Sequence, residues 1–244
     1  MKVAVVTGGS YGIGKSICEA LLKNNFKVYG ISRTKPSAQN NNFIWIKADL
    51  YNYIDIKSLA DKIDEKKLDL LVNNAGTYVE ELALNFSQGN FHKIFDLNFI
   101  APICITKTLS KKLNNGLVIN ISSTSDRFAE EGSGLYCSSK SALNIFFDAF
   151  AIENKNIKVL NILPDYIDTP LQHKLSDESK DFDWSKCVLP EDIASLINNL
   201  VNGKYDLQSG TRVIVVNNKA IKATRDPEKL YYFNVDTKEF KKLK

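Results

Sequence analysis

An apolar run, Val3-Ala-Val-Val6, leads straight into Thr7-Gly-Gly-Ser-Tyr-Gly-Ile-Gly14, after which Lys15 to Leu22 takes up helical periodicity. Strand, glycine turn and helix in that order are the context of a phosphate-binding loop. The helix N-terminus offers unpaired N–H groups and a partial positive charge. Glycines let the backbone approach a pyrophosphate without a side-chain clash. The spacing is Gly8-xxx-Gly12-x-Gly14, not GxGxxG, and the glycines alone would suit a purely structural βα turn equally well.

The same alternation continues along the chain. Strands are expected at Lys27–Ser32, Phe43–Ile46, Leu68–Val72, Leu117–Ile121, Ile157–Ile162 and Thr211–Val216. Helices are expected at Ile54–Ile63, from about Asn90 onward, at Leu135–Ile152 and from Pro190. Repeated βα units without a linker imply one α/β fold, a doubly wound parallel sheet of about seven strands with helices on both faces. The length of 244 residues suits a single domain, taken as residues 1–218. Residues 219–244 read as an extension. Leu230-Tyr-Tyr-Phe-Asn-Val235 and Glu239-Phe240 suggest a hairpin packed on the domain, on a partner subunit or against the substrate site.

Charge and composition exclude several classes. The net charge is +4, and the lysines are dispersed rather than gathered into a basic stripe with aromatics, so no nucleic-acid partner is expected. No apolar run reaches about 18 residues, so no membrane span is expected. The N-terminus opens on a strand without a signal-peptide layout. Cys18, Cys104, Cys137 and Cys187 show no CxxC spacing and read as reduced thiols of a cytoplasmic protein. His92 and His173 stand alone, so no metal site is expected.

The second strand ends on Ser32-Arg33. Dinucleotide-binding folds selective for NAD place a carboxylate there for the ribose 2′-hydroxyl. A guanidinium can instead pair with a 2′-phosphate. This favours NADP(H) over NAD(H), unless Arg33 is only a solvated loop charge.

Tyr136 and Lys140 fall one turn apart on one helix face, a spacing that alone suits an ordinary exposed helix surface; in company with the motifs elsewhere in the chain, chemistry is expected there. A lysine cation within about 4–6 Å would favour phenolate and lower the tyrosine pKa from its usual ~10. Ser123, just beyond the strand Leu117–Ile121, can donate a hydrogen bond to the same substrate oxygen. Asn98 lies on an apolar stripe with Phe91, Ile94 and Phe95. Pro102 cannot donate to the Asn98 carbonyl, which is then free for a water-mediated link to Lys140; otherwise Asn98 serves a neighbouring loop and Pro102 kinks the helix. Leu171 to Leu189 is polar and reads as a lid beside the site or as a surface excursion. Thr124, Ser125, Asp126 and Arg127 hint at a polar substrate.

Taken together, Thr7–Gly14, Asn73-Asn-Ala-Gly76, Asn98, Ser123 and Tyr136/Lys140 resemble the short-chain dehydrogenase/reductase family, in its branch of about 250 residues. The resemblance covers roughly Met1 to Asn217. It implies a catalytic tetrad of Asn98, Ser123, Tyr136 and Lys140. The cofactor contacts implied are Gly8, Ser10, Tyr11, Gly12, Ile13, Gly14, Ser32, Arg33, Asp49, Leu50, Asn74, Ala75, Gly76, Tyr136, Lys140, Pro164, Ile167 and Thr169. It implies hydride transfer between NADP(H) and a carbonyl or secondary alcohol, and a homodimer or homotetramer. A catalytically silent cofactor-binding scaffold is the rival reading on the same fold, and a sugar epimerase or dehydratase a third. Three departures stand out: Asp165 where the family has glycine after Pro164, Tyr11 where NADP-dependent members carry a basic residue, and Val216-Asn-Asn-Lys219 in place of Asp-Gly-Gly.

Overall fold

The computed structural model describes residues 1–36, 40–176, 182–217, 231–234 and 239–242. Strands β1 (Val3–Thr7), β2 (Lys27–Ser32), β3 (Phe43–Lys47), β4 (Leu70–Asn73), β5 (Leu117–Ile121), β6 (Lys158–Pro164) and β7 (Thr211–Val215) form one sheet in the order β3-β2-β1-β4-β5-β6-β7. Every neighbouring pair is parallel. The chain winds outward from β1 to β3, then returns to lay β4 on the other side of β1. That reversal opens a crevice at the carboxyl ends of β1 and β4, where ligands of open α/β sheets bind.

The apolar runs are continuous because both faces of the sheet are covered. All five residues of β1 are buried. Val5 points to one core with Tyr29, Leu71, Val118 and Phe147. Ala4 and Val6 point to the other with Ile17, Leu21, Val72, Ile119 and Ile197. Helices α1 (Gly12–Lys23) and α8 (Pro190–Val201) supply residues to the second core. Helices α5 (Ala101–Leu109) and α6 (Gly134–Glu153) supply residues to the first.

Two helices differ from the expectation. The segment Ile54–Ile63 divides into α2 (Tyr53–Lys57) and α3 (Leu59–Lys62) at Ser58, whose hydroxyl donates back to the Asp55 carbonyl at 2.7 Å. A serine bonding backward in this way competes with the helix ladder. Helix α4 (Gln88–Phe95) does not run straight into α5; a π turn occupies Asp96–Ile100, with the Ala101 N–H donating to the Asp96 carbonyl. Pro102 lacks an N–H and its ring would strike the Asn98 carbonyl in a regular α-helix. Widening the turn accommodates it.

Beyond the sheet, α7 (Pro170–Ser176) and a short 3-10 turn at Trp184–Lys186 belong to the segment read as a lid. Asp177, Glu178, Lys180 and Asp181 lie outside the described residues. Strands β8 (Tyr231–Asn234) and β9 (Glu239–Lys242) pair antiparallel, with Phe233 opposite Phe240. Among the described residues no helix is long and apolar enough to cross a membrane.

Candidate active site

The glycine turn places the start of α1 at the crevice. Gly8 and Gly12 adopt φ of +69° and +52°, which favour glycine. A Cβ on Gly8 would lie 2.9 Å from Asn74 Nδ2. Helix α1 begins uncapped: Tyr11 supplies no side-chain hydrogen bond, and the first turn holds no acid. Its leading N–H groups are thus left for an anion. Gly14 has another part. It lines neither of the two cavities described below, and a Cβ on it would meet the Gly8 carbonyl at 2.2 Å, so its bareness lets α1 close onto the turn.

A cavity of about 330 Å³ opens above this turn. Gly8, Ser10, Tyr11, Gly12, Ile13, Ser32, Arg33, Asp49, Leu50, Asn74, Ala75, Gly76 and Thr169 all line it. The Ser10 and Ser32 hydroxyls both donate to the Thr34 carbonyl, at 2.9 and 2.8 Å. Ser32 also accepts from Trp45 Nε1 at 3.1 Å, so its hydroxyl braces the loop that carries Arg33. Arg33 is exposed at the cavity and has no carboxylate partner among the described residues. The bare-glycine cradle, the uncapped helix start and the unpaired guanidinium fit a dinucleotide.

A second cavity of about 150 Å³ adjoins the first, sharing Ile13, Asn74, Gly76, Thr169 and Leu171. Ser123, Tyr136, Lys140, Pro164, Asp165 and Ile167 line it. Lys140 is 4% exposed; its Nζ donates to the Ile121 carbonyl at 2.9 Å and lies 5.7 Å from the Tyr136 ring centroid. Burial pushes its pKa down from 10.5 to about 8. Ser123 accepts from the Ser125 N–H at 3.1 Å and starts a 3-10 turn, Thr124–Asp126.

The Tyr136 phenol behaves differently from expectation. The spacing leads one to expect the lysine to draw its pKa down, yet burial pushes it up to about 12, against the opposing pull of a hydrogen bond from Ser123. The sign follows from where the charges lie. Lys140 spends its ammonium on the Ile121 carbonyl, while desolvation acts on the phenol in full.

The Asn98 side chain is fully used. Its Nδ2 donates to the Thr77 carbonyl at 2.9 Å and to Ser139 Oγ at 3.1 Å, and its Oδ1 accepts from the Thr77 N–H at 2.8 Å. Asn98 Oδ1 and Lys140 Nζ lie 3.3 and 3.7 Å from where a Cβ of Gly76 would stand, so these residues meet at the floor of the crevice.

The sequence profile of the family described as short chain dehydrogenase matches residues 2–180. This chain belongs to the short-chain dehydrogenase/reductase family. It is 30% identical over 225 residues to the 3-oxoacyl-(acyl-carrier-protein) reductase FabG of Rickettsia bellii, covering 86% of this chain and 92% of that one. It is 29% identical over 234 residues to a benzil reductase of Bacillus cereus, covering 82% and 94%. Among solved structures, Pseudomonas aeruginosa RhlG, determined as an NADP active-site complex, superimposes with a TM-score of 0.78 at 25% identity, covering 88% and 94%. The chain is an NAD(P)-dependent dehydrogenase/reductase on a Rossmann-type fold.

Within this short-chain dehydrogenase fold, Thr7 has a role that its place at the head of the glycine motif did not disclose, Tyr78 was not singled out, and Asp126 serves another purpose than expected. The Thr7 hydroxyl accepts from the Asn74 and Ala75 N–H groups at 2.9 and 3.0 Å, and Asn74 Nδ2 donates to the Thr7 carbonyl at 2.9 Å. Thr7 thereby fixes the floor of the cofactor cavity; the only signal was a hydroxyl ending an apolar strand. Tyr78 packs edge-on against Tyr136, ring centroids 5.1 Å apart. Asp126, read as a hint of a polar substrate, instead faces inward. It pairs with Arg127 at 2.9 Å and Arg212 at 3.2 Å and accepts from Asn144 Nδ2 at 2.9 Å, tying the 3-10 turn to α6 and β7.

Proposed function

We propose that this chain interconverts a carbonyl and a secondary alcohol with NADP(H), using Tyr136 as acid/base, Ser123 as oxyanion donor, and Lys140 and Asn98 in support. The observation that carries the reading is the joint lining of one small cavity by Tyr136, Ser123 and Lys140, which shares lining residues with the larger cavity above the glycine turn. The nicotinamide, when bound, supplies or accepts the hydride.

Tyr136 holds its proton throughout the neutral range, which is the form needed to protonate a carbonyl oxygen. Ser123 offers a second hydrogen bond to that oxygen, an effect worth about 3 kcal/mol in comparable single-donor deletions. Lys140 carries a proton below about pH 8 and keeps a positive charge under the phenol as the phenol's proton leaves. Asn98 holds the Thr77 backbone and so the crevice floor; its carbonyl, unable to receive a bond from Pro102, is the proposed relay toward Lys140.

Preference for NADP(H) rests on Arg33 and on the absence of a carboxylate at the end of β2. The RhlG neighbour was solved with NADP. A homodimer or homotetramer is proposed through the face where Phe91, Ile100, Ile145, Phe146 and Ile152 are exposed. We assign the protein to the cytoplasm on its scattered free thiols.

The test is titration with NADPH and NADH followed by turnover on a carbonyl panel. The reading expects tighter NADPH binding and NADPH-dependent reduction. Cofactor binding without turnover on any carbonyl would favour the scaffold reading instead.

A further inference from the structure

The residue following the catalytic-side strand β6 is a carboxylate set into the wall of the reaction cavity. Asp165 lines the same 150 Å³ space as Tyr136 and Ser123. Its backbone is pinned, the N–H donating to the Val215 carbonyl at 3.0 Å. Its side chain is oriented by Thr124, whose hydroxyl donates to Oδ1 at 3.2 Å. Thr124 directly follows Ser123, so carboxylate and oxyanion donor are held by adjacent residues. No second hydrogen bond to the Asp165 carboxylate is formed among the described residues, although an ionised carboxylate accepts several.

The surroundings are negative as well. Burial first, and then Glu80 and Glu130, push the pKa of Tyr78, the ring packed on Tyr136, up to about 12. Arg127, three residues after Thr124, pairs with Asp126 at 2.9 Å, and Lys186 pairs with Asp183 at 3.4 Å. Lys140, which shares the cavity, gives its Nζ to the Ile121 carbonyl. A carboxylate in the wall of this cavity is costly to cover with an apolar group or another anion, and favourable against a hydrogen-bond donor.

We infer that Asp165 determines substrate choice, admitting carbonyl compounds that carry a hydroxyl or ammonium donor on the carbon next to the carbonyl and rejecting those with an alkyl group or carboxylate there. This rests on the carbonyl-reductase reading above. The reaction is unchanged: the carbonyl is reduced to an alcohol and the neighbouring donor is left as it was.

Matched series test it: hydroxyacetone, aminoacetone, butan-2-one and pyruvate, and the bulkier 2-hydroxyacetophenone, 2-aminoacetophenone, propiophenone and phenylglyoxylate. The wild-type enzyme is expected to show kcat/KM at least about 10-fold higher for donor-bearing members than for alkyl or carboxylate members, since a hydrogen bond to a charged group discriminates by about 10- to 100-fold. Asp165→Asn keeps an acceptor for Thr124 but removes the charge. It should collapse the ratio of aminoketone to alkyl ketone by about 10-fold or more and the ratio for hydroxyketone by less. A larger loss for ammonium than hydroxyl identifies charge as the selected property; equal losses identify hydrogen bonding. Thr124→Val, which retains the carboxylate, should preserve the wild-type preference for the aminoketone over pyruvate. A wild-type enzyme that reduces alkyl ketones as well as their donor-bearing partners overturns the assignment of Asp165. So does an unchanged ratio in Asp165→Asn. In both cases the reductase reading stands. Failure to reduce any member of either series, with NADPH bound, counts against the reductase reading itself.

Discussion

Lys140 Nζ lies 5.7 Å from the Tyr136 ring centroid yet gives its 2.9 Å hydrogen bond to the carbonyl of Ile121, at the end of β5. The ammonium is thus tethered to the sheet, with the phenol above it. Both groups are desolvated, and each pKa moves in the direction that favours the group's own neutral form: the lysine down to about 8, the tyrosine up to about 12.

The lysine carries a pH signature in stability. Its pKa is lower in the folded chain than the usual 10.5. Between about pH 8 and 10.5 the unfolded chain holds a proton that the native chain has released, so stability rises with pH across that window. Below pH 8 the penalty is present in full, about 3 kcal/mol at 1.36 kcal/mol per unit. Lys140→Met removes it. Urea unfolding should show the variant's stability relative to wild type highest near pH 7 and falling as pH approaches 10. A difference that stays constant over this range would contradict the buried amine.

Arg33 is exposed at the mouth of the larger cavity without an acidic partner among the described residues. Arg33→Ala should weaken NADPH binding by about 10- to 100-fold, the worth of a charge-assisted hydrogen bond, and leave NADH within about 3-fold. Isothermal titration with both cofactors measures this. Equal losses for the two would show that Arg33 does not read the 2′-phosphate.

A methyl group on Gly14 has nowhere to go, since the Gly8 carbonyl would lie 2.2 Å away. Gly14→Ala should cost about 3 kcal/mol or more of stability, or displace the turn and abolish cofactor binding. Thermal unfolding together with NADPH titration distinguishes this from tolerance; an alanine variant with wild-type Tm and affinity would contradict the packing.

The sheet was legible because strands buried on both faces read as unbroken apolar runs. β2 and β5 were read at their observed bounds, and β1, β3, β4, β6 and β7 within a few residues of theirs. Many residues that line the two cavities were named from their order along the chain, whereas Thr34, Tyr51, Leu97, Thr77 and Gln172 line them without having been singled out. What the sequence hid depends on long-range contacts. Nothing local marks Thr7 as the hydroxyl that holds Asn74 and Ala75, because those partners arrive more than 60 residues later. Asp126 looks like a surface acid until Arg212 on β7 and Asn144 on α6 close over it. Pro102 signalled a disturbance at Asn98, but whether it gave a kink or a π turn depended on packing. The direction of the Tyr136 shift was misread because spacing places a lysine near a tyrosine without showing the Ile121 carbonyl between them in the competition for its protons.

Asn98 bonds Thr77 through both ends of its amide and reaches Ser139 as well. Asn98→Ala removes all three bonds and should destabilise the chain by about 2–3 kcal/mol, buried donors and acceptors being left unmet. Asn98→Asp would set a buried carboxylate against the Thr77 carbonyl and should be no more stable than Asn98→Ala. Chemical denaturation of the three proteins orders them; an alanine variant as stable as wild type would show the clamp to be dispensable.

The most direct measurement is single-turnover NADPH oxidation by Tyr136→Phe on a carbonyl that the wild-type protein reduces, with NADPH affinity determined in parallel. The phenyl ring preserves packing against Tyr78 while removing the proton donor. The account predicts turnover reduced by about 10²- to 10⁴-fold with NADPH bound as tightly as before. Turnover within a few-fold of wild type would contradict it.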